Sequence, residues 1–294
     1  MSITSHDHQD VDATTGTATT GHEWDGIREL NTPLPKWWLY IMYATIVWSL
    51  GYWVVYPAIP LVSSFTKGVI NYSSRAEATA EVGQLQAARA PMVAQLAKAS
   101  FDDIQKDQKL LTFARAQGKA AFGDNCAPCH GTGGGGSKAF PNLVDDDWLW
   151  GTGKLEDIQA TITHGIRSSD PNTRQGNMPA FGDGVLKPTE ISAVADYVRS
   201  LSKLPIDQGA DLKTGQTVFA ENCAACHGDN AKGNQELGAP NLTDQIWLYG
   251  SDKATIVEGI TKGRGGMMPN WGDRLDAGTI KALAVYVRTL GGAR

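Results

Sequence analysis

Residues 37–66 carry no charged side chain, and Lys36 and Lys67 bound the run. The apolar stretch Trp37–Ile59 is long enough for one membrane span, which needs about 20 residues. Trp37, Trp38 and Tyr40 sit at one edge, and Tyr52, Trp53 and Tyr56 lie toward the other. That is the aromatic belt expected at two headgroup regions. Pro57 and Pro60 mark the exit. A cleaved leader fits poorly, because the preceding region is long and acidic and no small-residue cleavage site follows cleanly. We read an uncleaved anchor over 37–62. Residues 1–36 are polar and predict no packed core, and His6, His8 and His22 within them read as solvated. Residues 75–117 are rich in Ala, Gln, Glu and Lys, with apolar Leu85, Met92, Val93, Leu96, Ile104, Leu110 and Leu111. This reads as helix interrupted near Pro91, and 63–109 reads as a helical linker.

An internal repeat fills the remainder. Gly118-Lys-Ala-Ala-Phe122 matches Gly215-Gln-Thr-Val-Phe219, and Pro141-Asn-Leu143 matches Pro240-Asn-Leu242. Trp148-Leu-Trp-Gly151 matches Trp247-Leu-Tyr-Gly250, Met178-Pro179 matches Met268-Pro269, and Tyr197-Val-Arg-Ser-Leu201 matches Tyr286-Val-Arg-Thr-Leu290. Order is preserved throughout, so a unit of about 85–95 residues is duplicated; two copies suggest paired domains, since a solenoid needs three or more. Glu190–Leu201 and Thr279–Leu290 place apolar residues at three- and four-residue steps and predict helices. The expected divisions are 110–205 and 206–294, joined near Lys203-Leu-Pro-Ile-Asp207.

Composition narrows the class. A mean hydropathy of −0.26 excludes a polytopic membrane protein. A formal net charge of −5 argues against nucleic acid as the main partner, because phosphate binding wants a basic surface.

All four cysteines fall in two copies of C-x-x-C-H, Cys126-Ala-Pro-Cys129-His130 and Cys223-Ala-Ala-Cys226-His227. This is the attachment pattern of c-type haem. Two thiols add to the two vinyl groups on one edge of the macrocycle, and the next residue lies under the iron as an axial ligand. A zinc site wants four N/S ligands and each repeat offers three. A redox dithiol wants a βαβ frame, and none is predicted. Two covalently bound haem c groups are therefore expected. Attachment is an export-side event in bacteria, which puts both repeats in the periplasm and the amino terminus in the cytoplasm.

A six-coordinate haem needs a second axial ligand. Met178 and Met268 follow their own repeat's histidine by 48 and 41 residues, and each precedes Pro. A thioether favours ferrous iron and raises the potential of a His-ligated haem. His164 is a competing ligand; aligned with Glu258, it has no counterpart in the second repeat. Pro141 and Pro240 follow the haem histidines by 11 and 13 residues, where a backbone carbonyl can accept the imidazole N–H. Asp145-Asp146-Asp147 reads as a helix start or solvated face, and Gly133–Gly136 as a mobile loop.

The lead Asp25-Gly-Ile27 and Glu29-Leu-Asn-Thr-Pro-Leu-Pro-Lys-Trp-Trp38, one anchor, an Ala/Gln-rich spacer and two C-x-x-C-H units together resemble one family. It is the dihaem cytochrome c subunit III (CcoP or FixP type) of cbb3-type cytochrome c oxidases. The resemblance covers about Gly21 to Leu290, and the lead motif separates this family from other dihaem cytochromes. It implies an all-α fold: one N-terminal transmembrane helix followed by two tandem class I cytochrome c domains. It implies a chain in the bacterial inner membrane passing electrons from a soluble cytochrome c toward a haem b and copper catalytic subunit and a monohaem cytochrome subunit. It further implies that the axial methionines are exchanged: Cys126, Cys129, His130 and Met268 for haem 1, and Cys223, Cys226, His227 and Met178 for haem 2. Sequence alone suggests the simpler pairing within each repeat.

Two other classes compete. One is a free-standing membrane-anchored dihaem shuttle. The other is a dihaem peroxidase, which needs an open iron position that the two methionines would close. The span holds no Asp, Glu, Lys, Arg or His to relay protons, so a proton pump would lie in a partner.

Overall fold

The computed structural model describes residues 10–291, and His6 and His8 lie outside them. The chain divides into two compact units, residues 1–85 and 86–294.

The first unit opens with a hairpin of β1 (Thr19–Trp24) and β2 (Ile27–Leu30), paired antiparallel. The expectation of an all-helical chain fails here. Asp25 and Gly26 both adopt positive φ, as a two-residue hairpin turn requires, and Asp-Gly is a favoured pair for it. Apart from buried Thr19, the strand residues are exposed. Helix α1 (Lys36–Val55) follows, about 30 Å long at 1.5 Å per residue. It is long and apolar enough to cross a membrane, and no residue of it is buried. Its aliphatic hydroxyls are satisfied within the helix: Thr45 donates to the Met42 carbonyl and Ser49 to that of Thr45, both at 2.8 Å. A bilayer interior demands this, because it offers no water partner. Beyond α1 the chain turns back, and the Val69 N–H donates to the Val54 carbonyl.

Helix α2 (Ser74–Lys98) is unbroken, contrary to the interruption expected at Pro91. Proline deprives the Ala87 carbonyl of its helical donor. Ala87 is exposed, so water can replace that bond. The long helical stretches on either side carry the element through.

The second unit contains the end of α2, then α3 (Phe101–Lys106), α4 (Gln108–Asn125), α5 (Ala127–His130), α6 (Leu155–His164) and α7 (Pro188–Leu201). The second repeat supplies α8 (Leu212–Asn222), α9 (Ala224–His227), α10 (Lys253–Lys262) and α11 (Ala277–Arg288). Carboxylates at the caps start several of them. Asp107, Asp211, Asp252 and Asp276 each accept a backbone N–H from the first turn of α4, α8, α10 and α11, worth about 1 kcal/mol apiece.

These helices form two cores, and each core draws on both repeats. In the first, α4 and α6 pack against α11, burying Leu110, Phe122, Ile158, Ile162 and Leu283. Leu96 of α2 and Phe101 and Ile104 of α3 close it. In the second, α8 and α10 pack against α7, burying Val194, Val198, Val218, Phe219, Ile256 and Ile260. Each large apolar side chain contributes about 1.5–3 kcal/mol by leaving water. The C-terminal helix of each repeat thus completes the core begun by the other.

Candidate functional site

Both C-x-x-C-H motifs fold as a one-turn helix immediately after a longer one. Cys126 ends α4 and precedes α5, and Cys223 stands in the same way between α8 and α9. The Cys129 and His130 N–H groups both donate to the Cys126 carbonyl, and Cys226 and His227 do the same with Cys223. The turn brings both cysteines and the histidine of a motif to the end of one helix, with Cys126 packed on the first core and Cys223 on the second. Cys126 and Cys223 are partly buried, whereas Cys129 and Cys226 are exposed. Burial pushes the Cys126 and Cys223 thiols up to about 11, so neither is a thiolate redox centre at neutral pH.

Each histidine is oriented by its second nitrogen. His130 Nδ1 lies 3.0 Å from the Pro141 carbonyl and His227 Nδ1 lies 3.0 Å from that of Pro240. With Nδ1–H donating, Nε2 keeps its lone pair for a metal. Burial lowers both imidazole pKa values, against the raising effect of those carbonyl contacts, and favours the neutral, ligating form.

Across each core stands a methionine from the other repeat. Met268 packs on the core that holds Cys126, and Met178 on the core that holds Cys223. Backbone bonds fix both. Ile166, just beyond α6, and Met268 exchange N–H···O bonds of 2.9 and 3.0 Å. Arg264, just beyond α10, and Met178 do likewise at 3.0 and 2.9 Å. The following residues continue the seam: Trp271 and Gly272 N–H donate to the Ile162 and Thr163 carbonyls, and Phe181 and Gly182 N–H to those of Ile260 and Thr261.

The residues fit haem c. Four free thiols stand in two motifs, the imidazoles are aimed, and Trp247 Nε1 is buried without a hydrogen-bond partner against the second core. A buried indole N–H wants an acceptor, and a bound group carrying acceptors would supply one. Among the described residues, no three of His, Cys, Asp and Glu gather around one metal-sized point, so a tetrahedral zinc set is not assembled.

His164 is the last residue of α6, and the last residue of α10 is Lys262, so the helices equate His164 with Lys262 and not with Glu258. Its Nδ1 lies 3.1 Å from Asp170 Oδ2. Asp145–Asp147 start no helix. Asp145 and Asp147 line a groove of about 540 Å³ with Phe140, Pro141, Pro240 and Trp247. Burial, then the neighbouring Asp244, Asp145 and Asp146, push Asp147 up to about 6. The Gly133–Gly136 loop is tied down, with the Gly136 N–H donating to the His130 carbonyl at 2.7 Å and the Leu143 N–H to that of Gly134 at 2.7 Å.

One residue escaped the sequence reading. Arg167 donates from Nε to the Gly266 carbonyl at 2.6 Å and from its terminal nitrogen to the Gly176 carbonyl. It therefore grips the approach to both methionines, with its guanidinium 5.9 Å from the centre of the Trp150 ring. The second repeat has glycine in the corresponding place, so the repeat pattern carried no signal for it.

Comparison with known proteins agrees with this architecture. Residues 16–63 match the family model described as the N-terminal domain of cytochrome oxidase-cbb3, FixP. Residues 113–198 and 210–287 match that of cytochrome c oxidase, cbb3-type, subunit III. The chain is 63% identical over 289 residues to a cbb3-type cytochrome c oxidase subunit FixP of Bradyrhizobium sp. (strain ORS 278), covering 98% of this chain and 99% of the relative. It is 61% identical to the FixP subunit of Azorhizobium caulinodans, covering 99% of each. It is 53% identical to the CcoP subunit of Azospirillum brasilense, covering 97% and 99%. With two cytochrome c-type repeats behind one apolar helix and this likeness along nearly its whole length, the chain belongs to the FixP/CcoP family of cbb3-type cytochrome c oxidase subunits.

Proposed function

We propose that this chain is the electron-entry subunit of a cbb3-type oxidase, taking electrons from a soluble cytochrome c and delivering them toward a haem b and copper catalytic subunit. The observation that carries the reading is the pair of imidazoles held at 3.0 Å by Pro141 and Pro240, each on the same core as one methionine. When bound, haem c supplies reversible one-electron chemistry at its iron.

The chain's own part is to hold, orient and tune. Cys126, Cys129, His130 and Met268, on the first core, would hold one group. Cys223, Cys226, His227 and Met178, on the second core, would hold the other. The carbonyls of Pro141 and Pro240 make each imidazole a better donor by accepting its Nδ1–H. The backbone bonds from Ile166 and Arg264 fix the main chain of Met268 and Met178, so each thioether would be offered from a tethered segment. Two side-chain ligands to each group would leave no open position for a substrate, so on this reading the chain carries electrons and the catalytic centre lies in a partner. Helix α1 anchors it in the inner membrane with the amino terminus in the cytoplasm and the haem-binding unit in the periplasm.

Purification in mild detergent through a tag on this chain tests the reading. Haem b and copper in fixed ratio to haem c, with oxygen uptake driven by a reduced cytochrome, is the expected result. Two haem c per chain without haem b or copper, even from native membranes, would overturn it in favour of a free-standing shuttle.

A further inference from the structure

The exchange of C-terminal helices raises a question of selection, because α7 and α11 are near copies. Most of their packing cannot distinguish them. A Cβ at Gly118 of α4 would lie 2.2 Å from the Ala282 carbonyl oxygen of α11, and one at Gly215 of α8 would lie 2.3 Å from that of Ala193 in α7. Phe122 meets Tyr286 with ring centres 5.4 Å apart, and Phe219 meets Tyr197 at 5.6 Å. These contacts would be equally good with α7 on α4 and α11 on α8.

Two places break the equivalence. Leu155 and Lys253 are the first residues of α6 and α10. Val285 and Asp196 each immediately precede the Tyr-Val-Arg of α11 and α7. In the second core, Lys253 Nζ donates to Asp196 Oδ2 at 2.6 Å and to Asp207 Oδ2, in the segment after α7, at 2.5 Å. Asp196 is 3% exposed. In the first core the corresponding pair is apolar, with Leu155 and Val285 both buried. Pairing within each repeat would set Asp196 against Leu155 and Lys253 against Val285, leaving a buried carboxylate without its cation. An unpaired buried charge is strongly disfavoured.

The second place is the collar that α2 and α3 form around the first core. Lys281 of α11 donates to the Ala97 and Ala99 carbonyls at 2.9 and 2.6 Å. A Cβ at Gly278 would lie 2.7 Å from the Val93 carbonyl oxygen. Counted from the shared Tyr-Val-Arg, α7 has Ser192 and Thr189 there. Serine is too short to reach the carbonyls, and threonine brings the Cβ that the collar excludes.

We propose that the Lys253–Asp196 pair, set against Leu155 and Val285 and reinforced by Gly278 and Lys281 at the collar, selects the exchanged helix pairing and thereby decides which methionine serves which haem. These are positioning residues, and the methionine half of the statement rests on the ligand assignment under Proposed function.

The test uses the full haem-loaded chain in detergent. Lysine cross-linking reads the helix pairing, because Lys281 sits beside Lys98, between its two carbonyl partners. The first variant moves the carboxylate, Asp196→Val with Val285→Asp. The second adds Leu155→Lys with Lys253→Leu, which rebuilds a matched ionic pair in the first core and an apolar pair in the second. The expected result is a Lys98–Lys281 cross-link in the parent, at least a tenfold lower yield in the first variant, and recovery in the second together with the methionine-to-iron absorption band. Parental yield in the first variant, or failure of the second to recover, would overturn the proposal. A first variant that does not fold still supports it if the second does. Nuclear Overhauser contacts in the reduced parent, from the Met268 methyl group to the Cys126 thioether, read the ligand assignment separately. Their absence beside an intact cross-link would overturn the methionine half and leave the helix selection standing.

Discussion

Gly118 gives the sharpest quantitative test of the first core. Replacing a helical glycine by alanine ordinarily stabilises an exposed helix by about 1 kcal/mol. At Gly118 the added Cβ would lie 2.2 Å from the Ala282 carbonyl oxygen and 2.6 Å from Tyr286 Cβ. Neither atom is the far end of a flexible side chain, so α4 and α11 must move apart. Overpacking costs about 1–3 kcal/mol where side chains can yield, and here backbone opposes backbone. We expect Gly118→Ala to destabilise the haem-loaded protein by about 2 kcal/mol net, a fall in Tm of about 4–8 °C for a unit of this size. Because α11 follows directly on the Met268 loop, the same variant should weaken the methionine-to-iron absorption of one haem and spare the other. Gly83, in α2 with nothing within 4 Å of its Cβ position, is the control; Gly83→Ala should be neutral or stabilising. Thermal unfolding followed by haem absorbance and by circular dichroism makes the measurement. A Gly118→Ala protein as stable as Gly83→Ala, with both methionine bands intact, would refute the close packing of α4 on α11.

Three further outcomes follow from the geometry. Met178→Leu and Met268→Leu should each convert one haem to a five-coordinate or replaced-ligand state with a lowered potential, whereas His164→Ala should leave the low-spin electron paramagnetic resonance signals unchanged. Arg167→Ala removes the link to the Gly176 and Gly266 carbonyls, so potentiometric titration should show both haems shifted by one substitution. Asp147, raised to about 6 by burial and then by Asp244, Asp145 and Asp146, binds its proton more tightly folded than unfolded. Its neutral form is the one the fold prefers, so wild-type stability falls as pH rises from about 4 to 6. Asp147→Asn should therefore be more stable by about 1 kcal/mol at pH 7, after allowance for solvent screening, with the difference vanishing below about pH 4 in denaturant titrations.

Chain order and local chemistry settled a good deal. The uncharged run with aromatic edges marks α1, because a span must be long, apolar and belted. The three- and four-residue steps at Glu190–Leu201 and Thr279–Leu290 place α7 and α11 within two residues, because helical burial imposes that period. The paired Cys-x-x-Cys-His motifs name the group they hold, because covalent attachment needs those atoms at that spacing. Local misreadings came where a long-range or solvent effect outweighed a local signal. Pro91 sits inside a continuous helix because solvent can take up its lost bond, and Asp145 and Asp147 start no helix but line a groove together with the second repeat's Pro240 and Trp247.

The partner of each helix lay beyond periodicity. A pattern of apolar positions says which face is buried but not what covers it, and two copies of one helix present the same face. The chain alone therefore favours pairing neighbours within a repeat. Tertiary structure decides otherwise through a few contacts at which the copies differ: a lysine finding its carboxylate, a glycine admitting a carbonyl, an arginine spanning two loops. Those contacts are specific in shape and charge, whereas hydrophobic burial is not directional, and so they could be read only once the helices were in place.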